Sequence, residues 1–182
     1  MTKSINFIDL AAQQNRLKDK IDNNIKKVLS HGKYIMGPEV RELENAIEVY
    51  TNTNHVVTCG SGTDALVLAL MSCNIKPGDI VFCPAFTFPA TAEAIAILGA
   101  TPYFIDVEKD TFNISIDSLE EAIINLQKEG KYNLKAIIAV DLYGLPANYK
   151  SLKKIAKNNN LILIADAAQS FGASYFDKKV GS

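Results

Sequence analysis

Leu161-Ile-Leu-Ile-Ala-Asp-Ala-Ala-Gln-Ser170 is a run of five apolar residues that ends in a carboxylate, Asp166. An uncharged run of this length predicts a strand buried on both faces, as in the middle of a parallel sheet. Asp166 then falls at the C-terminal end of the strand, where open α/β sheets take their ligands. A carboxylate removed from water needs a cation or hydrogen-bond donors. Asp166 therefore either caps the segment that follows or faces a ligand with a positive charge, such as the protonated ring nitrogen of a cofactor. Gln169, three residues on, is spaced to reach the same ligand.

Working outward from this strand, four more segments read as strands: His55–Cys59, Ile80–Cys83, Thr101–Val107 and Ala136–Leu142. Helical patterns stand between them. Ala90–Leu98 is small and apolar and closes at Gly99. Leu119–Lys128 follows a capping box formed by Ser118 and Glu121. Asn148–Asn159 has a polar face. Strands alternating with helices specify a mostly parallel sheet with helices on both faces, a three-layer α/β/α architecture. Upstream, Leu17, Ile21, Ile25, Val28 and Leu29 recur at helical spacing, with Gly32 as the C-terminal cap. Pro38 opens a second helix, with Val40, Leu43, Ile47 and Tyr50 along one side. Tyr34–Met36 between them are apolar and belong either to the core or to a contact with another subunit. The organisation expected is an N-terminal helical segment, residues 1–55, packing on a larger domain, residues 56–182.

Composition limits the function classes. The chain has 182 residues and a net charge of −1, so no basic surface points to nucleic acid. No apolar run is long enough to span a membrane, and Met1-Thr-Lys-Ser-Ile-Asn lacks the features of a signal peptide. Cys59, Cys73 and Cys83 have no paired spacing, which fits free thiols in a reducing cytoplasm. His31 and His55 are far apart in the sequence, and no metal site is expected.

Gly60-Ser-Gly-Thr-Asp-Ala-Leu66 joins the first expected strand to an apolar helix. Glycines allow close backbone approach, and a helix N-terminus offers free amides and a positive dipole end. Ser61 and Thr63 add hydroxyls. A phosphate fits here; a plain strand-to-helix turn is the other reading. Gly60, Gly62 and Ala65 also satisfy the dinucleotide fingerprint. The next strand, however, ends in Pro84-Ala-Phe86 where a ribose-binding acid belongs, so dinucleotide binding is the second choice. Pro84–Pro89 carries Phe86 and Phe88, each either a core residue or a ring lying over a flat ligand. If the loops after the strands share one rim, Gly62–Thr63, Phe86–Phe88, Tyr143 and Asp166 meet there. Phosphate, flat ring and ring nitrogen are the three parts of pyridoxal 5'-phosphate.

Six motifs, in this order, resemble the N-terminal half of the DegT/DnrJ/EryC1/StrS sugar aminotransferases: Phe7-Ile-Asp-Leu10, Tyr34-Ile-Met-Gly-Pro38, Ser61-Gly-Thr-Asp-Ala-Leu66, Pro77-Gly-Asp79, Pro84-Ala-Phe-Thr-Phe88 and Asp166-Ala-Ala-Gln-Ser-Phe-Gly-Ala173. The resemblance is nearest to the branch that aminates nucleotide-linked 3-keto sugars, such as UDP-2-acetamido-3-oxo-glucuronate, in surface-polysaccharide synthesis. It implies the large-domain fold of pyridoxal-phosphate transferases of the aspartate aminotransferase type. It also implies a homodimer with shared sites, to which Tyr34–Gly37 contributes, and amino transfer from glutamate to a ketosugar. Asp166 would pair with the pyridinium nitrogen and Gln169 would touch the ring or its phenolic oxygen. Thr63 and the backbone of Gly62 and Asp64 would hold the phosphate. Phe88 would stack on the ring, with Phe86 the second choice. The Schiff-base lysine of such enzymes is expected beyond Ser182. Lys178 and Lys179 read as the tip of a hairpin instead. The chain thus reads as a truncated large domain, inactive alone. The alternative is a non-catalytic remnant or binding module on the same fold.

Overall fold

In a computed structural model, which describes residues 7–182, the chain divides into two compact units at Ala46/Ile47. Residues 1–6 lie outside the described residues.

The first unit holds α1 (Leu10–His31) and the beginning of α2 (Pro38–Thr51). Asp9 caps α1 by accepting from the Ala12 amide at 2.9 Å, and Gly32 ends it with φ +66°. That left-handed turn costs a residue with a Cβ about 1 kcal/mol, which is why glycine belongs there. Lys27 pairs with Glu42 at 3.3 Å and Glu39 at 3.5 Å, while His31 meets Glu39 at 3.1 Å. Tyr34, Ile35 and Met36 are exposed in this chain, as are Ile21, Ile25 and Leu29.

The second unit is built on a four-stranded, all-parallel sheet in the order β2 (Thr101–Ile105), β1 (Asp79–Pro84), β3 (Asn133–Val140), β4 (Ile162–Asp166). Side chains alternate across a strand, so β1 sends Ile80 and Phe82 to one face and Val81 and Cys83 to the other. β3 does the same with Ile137 and Ala139 against Ala136, Ile138 and Val140. One face is covered by α5 (Ile116–Glu129) and α6 (Tyr149–Asn158) through Leu119, Ile123, Leu152 and Ile155. The other is covered by α3 (Gly62–Ser72) and α4 (Ala90–Ile97) through Leu66, Leu70, Ala94 and Ile95. This is the expected three-layer α/β/α arrangement. Full burial of each of these Leu and Ile side chains contributes about 1.5–3 kcal/mol. A short antiparallel hairpin, β5 (Ser174–Tyr175) with β6 (Lys178–Lys179), follows the sheet.

Four expectations need correction. His55–Cys59 forms no ladder among the described residues and stands outside the sheet; an apolar run becomes a strand only where a neighbour supplies its hydrogen bonds. Leu161–Asp166 is not buried on both faces. β4 is the edge of the four-stranded sheet, and its residues are half-buried with Ala165 exposed. α5 starts earlier than the Ser118 capping box: Ser115, in extended conformation, accepts from the Ser118 amide. Lys178 and Lys179 form the returning strand of the hairpin, whose tip is Phe176–Asp177.

Candidate active site

Three elements converge at the C-terminal ends of β3 and β4 around a hollow of about 450 Å³. Its wall on one side is the start of α3, with Gly62 and Thr63. On the other side it is Asp166 to Gln169, just past β4, and above these Thr87 and Phe88 from the loop after β1. The floor includes Val140 and Ile164, so the hollow is apolar with polar groups at its rim.

α3 begins here because Ser61, extended at φ −160°, accepts from the Asp64 amide at 3.1 Å, while the Ala65 amide bonds the Ser61 carbonyl at 3.0 Å. First-turn amides have no carbonyl one turn back to bond. Those of Gly62 and Thr63 sit at the hollow, at the positive end of the helix dipole. The Asp64 amide is taken by its cap, and Asp64 does not line the hollow. Its carboxylate folds back over Gly60, where a Cβ would stand 2.8 Å from Oδ2. A Cβ there would only require the flexible Asp64 side chain to turn aside.

Asp166 is half-buried and held from two directions. Thr91, a buried residue of α4, donates its hydroxyl to Asp166 Oδ2 at 3.3 Å, and the Ala168 amide donates to Oδ1 at 3.2 Å. The second bond is a local turn rather than the cap of an α-helix. Gln169 is anchored by its Oε1, which accepts from the Tyr143 amide. Phe88 is 68% exposed and Phe86 47% exposed, so neither is core. Phe88 lines the hollow; Phe86 instead packs at a tilt against Phe112 at 5.6 Å, which meets Tyr143 edge-on at 6.1 Å.

Gly62, Thr63, Phe88, Asp166 and Gln169 thus share one hollow, while Asp64, Phe86 and Tyr143 stand beside it. Thr91 was not singled out from sequence; inside a small apolar helix it gives no signal. Asp141 was also missed, although Ala-Val-Asp141 repeats the strand-end pattern of Ile-Ala-Asp166. Among the described residues, no lysine lines the hollow. Among the described residues no group of three or more His, Cys, Asp or Glu is placed to hold a metal ion, and no helix is long and apolar enough to cross a membrane.

A doubly covered parallel sheet with a carboxylate facing a helix N-terminus across its C-terminal edge defines an α/β ligand-binding unit. Residues 15–182 match the DegT/DnrJ/EryC1/StrS aminotransferase family, and the chain belongs to that family. It is 46% identical over 175 residues to the UDP-2-acetamido-2-deoxy-3-oxo-D-glucuronate aminotransferase of Pseudomonas aeruginosa, covering 96% of this chain and 47% of that protein. A DegT DnrJ EryC1 StrS aminotransferase from Brucella abortus superposes with a TM-score of 0.95 at 46% identity, over 98% of this chain and 48% of that one. NtdA from Bacillus subtilis, solved with bound cofactor PMP, superposes at 0.86 with 31% identity, over 96% and 39% respectively. The chain spans about half the length of the curated relatives it matches.

Proposed function

We propose that this chain carries the cofactor-binding part of a pyridoxal 5'-phosphate-dependent sugar aminotransferase. The reaction is transfer of an amino group, from glutamate, to a nucleotide-linked ketosugar of surface-polysaccharide or related sugar biosynthesis. The observation that carries the reading is the meeting of Asp166, Phe88 and the α3 N-terminus around one hollow. The likeness to an aminotransferase acting on a UDP-linked 3-oxo sugar supports the substrate class. A homodimer in the cytoplasm, with residues 1–55 as an N-terminal helical segment and 56–182 as the cofactor-binding part, completes the proposal.

The donor set fits the cofactor. An anion at Gly62 and Thr63 meets two free amides, a hydroxyl and a helix dipole. A flat ring meets the exposed face of Phe88. A cationic ring nitrogen meets Asp166, whose remaining acceptor capacity faces the hollow. Asp64 contributes by closing the turn over Gly60, which is a narrower part than direct phosphate contact. When bound, the cofactor supplies an electron sink and a carrier for the amino group. The chain's own residues bind and orient. Asp166 would keep the ring nitrogen protonated, Gln169, held by the Tyr143 amide, would stand beside the ring, and the apolar lining would limit access of water. Among the described residues that line the hollow none carries an amine side chain, which supports a part that binds the cofactor and does not transaminate by itself.

Calorimetric titration with pyridoxamine 5'-phosphate, which forms no imine with surface lysines, tests the binding claim. The chain is expected to bind it saturably, and Asp166→Asn to weaken binding at least tenfold. That ratio corresponds to about 1.4 kcal/mol, close to the lower end of what a hydrogen bond to a charged group contributes. Equal affinity in the two proteins refutes the assignment.

A further inference from the structure

Asp141 is a second carboxylate at the C-terminal end of a sheet strand, and no part of the function above uses it. It is fully buried, directly after β3. A buried charge is tolerated only when hydrogen-bonded, and Asp141 is richly supplied. Its Oδ1 accepts from the Ala147 amide at 2.9 Å and from the Tyr149 hydroxyl at 2.6 Å. Its Oδ2 accepts from the Ser170 hydroxyl at 2.7 Å. Its own amide donates to the Asp166 carbonyl at 3.1 Å. Burial, followed by the Asp141 bond and charge, pushes the Tyr149 hydroxyl well above its ordinary range, so it stays protonated and keeps donating.

These bonds join two loops. One is Asp141–Ala147; the other is Asp166–Ser170, the turn that carries Asp166 and Gln169. The turn is tied at its first residue by the Asp141 amide and at its last by the Ser170 hydroxyl. Ser170 is itself buried, and its amide closes the turn on the Ala167 carbonyl at 3.0 Å. Between the two ties, Gln169 bonds the Tyr143 amide of the other loop. The far side of the Asp141 loop is held separately: Asn113 accepts from the Leu142 amide at 3.2 Å and donates to the Leu145 carbonyl at 3.0 Å.

We propose that Asp141 is a positioning residue of this site. Through Ser170 it fixes the Asp166–Ser170 turn so that the Asp166 carboxylate is aimed at the cofactor's ring nitrogen. The inference rests on the reading of Asp166 given above. Asp141 touches neither substrate nor cofactor; it acts by holding the turn from behind. The bond does the positioning, not the charge. Asparagine at 141 retains an acceptor for Ala147 and Tyr149, and its amide can donate to a Ser170 hydroxyl that rotates to accept.

The test compares two ligands on the 182-residue chain: pyridoxamine 5'-phosphate and its 1-deaza analogue, which has carbon in place of the ring nitrogen. Ser170→Ala cuts the tie and removes only a hydroxyl, and its fold is verified by circular dichroism. It is expected to weaken pyridoxamine 5'-phosphate roughly tenfold and to leave the deaza analogue unchanged. Asp141→Asn is expected to bind both ligands within about twofold of the parent chain. The proposal is overturned if Ser170→Ala leaves the first ligand unaffected, if it weakens both ligands equally, as a general loosening would, or if Asp141→Asn loses as much as Ser170→Ala. Asp166→Asn is the arbiter in the same series. If it discriminates the ligands and Ser170→Ala does not, only the positioning proposal falls. If it does not discriminate them, the cofactor reading falls first.

Discussion

Thr91 Oγ1 donates to Asp166 Oδ2 at 3.3 Å, tying α4 to the end of β4 across 75 residues of sequence. The contact joins the layer formed by α3 and α4 to the sheet at the point where the hollow opens. It also supplies one of the two donors to this half-buried carboxylate. Thr91→Val removes the hydroxyl while nearly keeping the volume, and leaves Asp166 with one donor. A loss of about 1–3 kcal/mol of folding stability is expected without ligand. Saturating pyridoxamine 5'-phosphate should narrow the gap, because the ring nitrogen replaces the missing partner. Urea denaturation with and without the ligand measures both; a variant as stable as the parent chain contradicts the role given to Thr91.

Gly99 and Gly130 both adopt left-handed backbone, at φ +72° and +67°. They differ in surroundings. A Cβ on Gly99 would stand 2.8 Å from Cγ of Pro77, whereas one on Gly130 meets nothing within 4 Å. Gly130→Ala should cost only the backbone term, about 1 kcal/mol. Gly99→Ala should cost clearly more, since Pro77 is a ring that cannot swing aside. Denaturation midpoints of the two variants give the comparison, and equal midpoints contradict it.

Ser115 caps α5 by accepting from the Ser118 amide. Ser115→Ala is expected to cost about 0.5–1 kcal/mol. Ser118→Ala, inside the first turn, should stay within a few tenths. The reverse order would restore the capping box read from the sequence.

That pair shows where the sequence was legible and where it was not. Ser115 and Ser118 carry the same side chain, and the pattern of Ser118 with Glu121 matched a cap as well as the true one did. Only the extended backbone at Ser115 decides between them. Residues whose geometry is local were read correctly: Gly32 and Gly99 end helices, Pro38 opens one, and Asp79 follows a tight turn. The alternating faces of β1 and β3 were likewise carried by apolar runs. What depended on a neighbour was not legible. His55–Cys59 and Leu161–Asp166 look alike as apolar runs, yet the first pairs with no strand of the sheet and the second forms its edge. Asp141 and Thr91 take their meaning from contacts made across the fold, with Ser170 and Asp166 respectively.

The thiols of the chain separate by burial. Cys83 lies in the core under α3 and α4, and burial pushes its pKa up to about 12 from 9.0. The folded state therefore holds its proton where the unfolded chain loses it. The sign follows: stability is intact below pH 9.0 and falls as pH rises from there towards about 12. The slope is about 1.4 kcal/mol per pH unit for this group, with Tyr149 acting in the same direction at higher pH. Cys59 is exposed and should alkylate rapidly at pH 8, whereas Cys83 should react only on unfolding. Mass spectrometry of pulse-alkylated peptides measures the difference. Labelling of Cys83 at the rate of Cys59 contradicts it.

The central claim is that Asp166 holds a protonated heterocycle whose phosphate rests at Gly62 and Thr63. The most direct measurement is the ¹⁵N chemical shift of ring-labelled pyridoxamine 5'-phosphate bound to the chain, followed above the pH at which the free ligand's ring nitrogen loses its proton. The account predicts a pyridinium shift in the parent chain and a neutral-ring shift in Asp166→Asn. A neutral ring nitrogen in both proteins would contradict it.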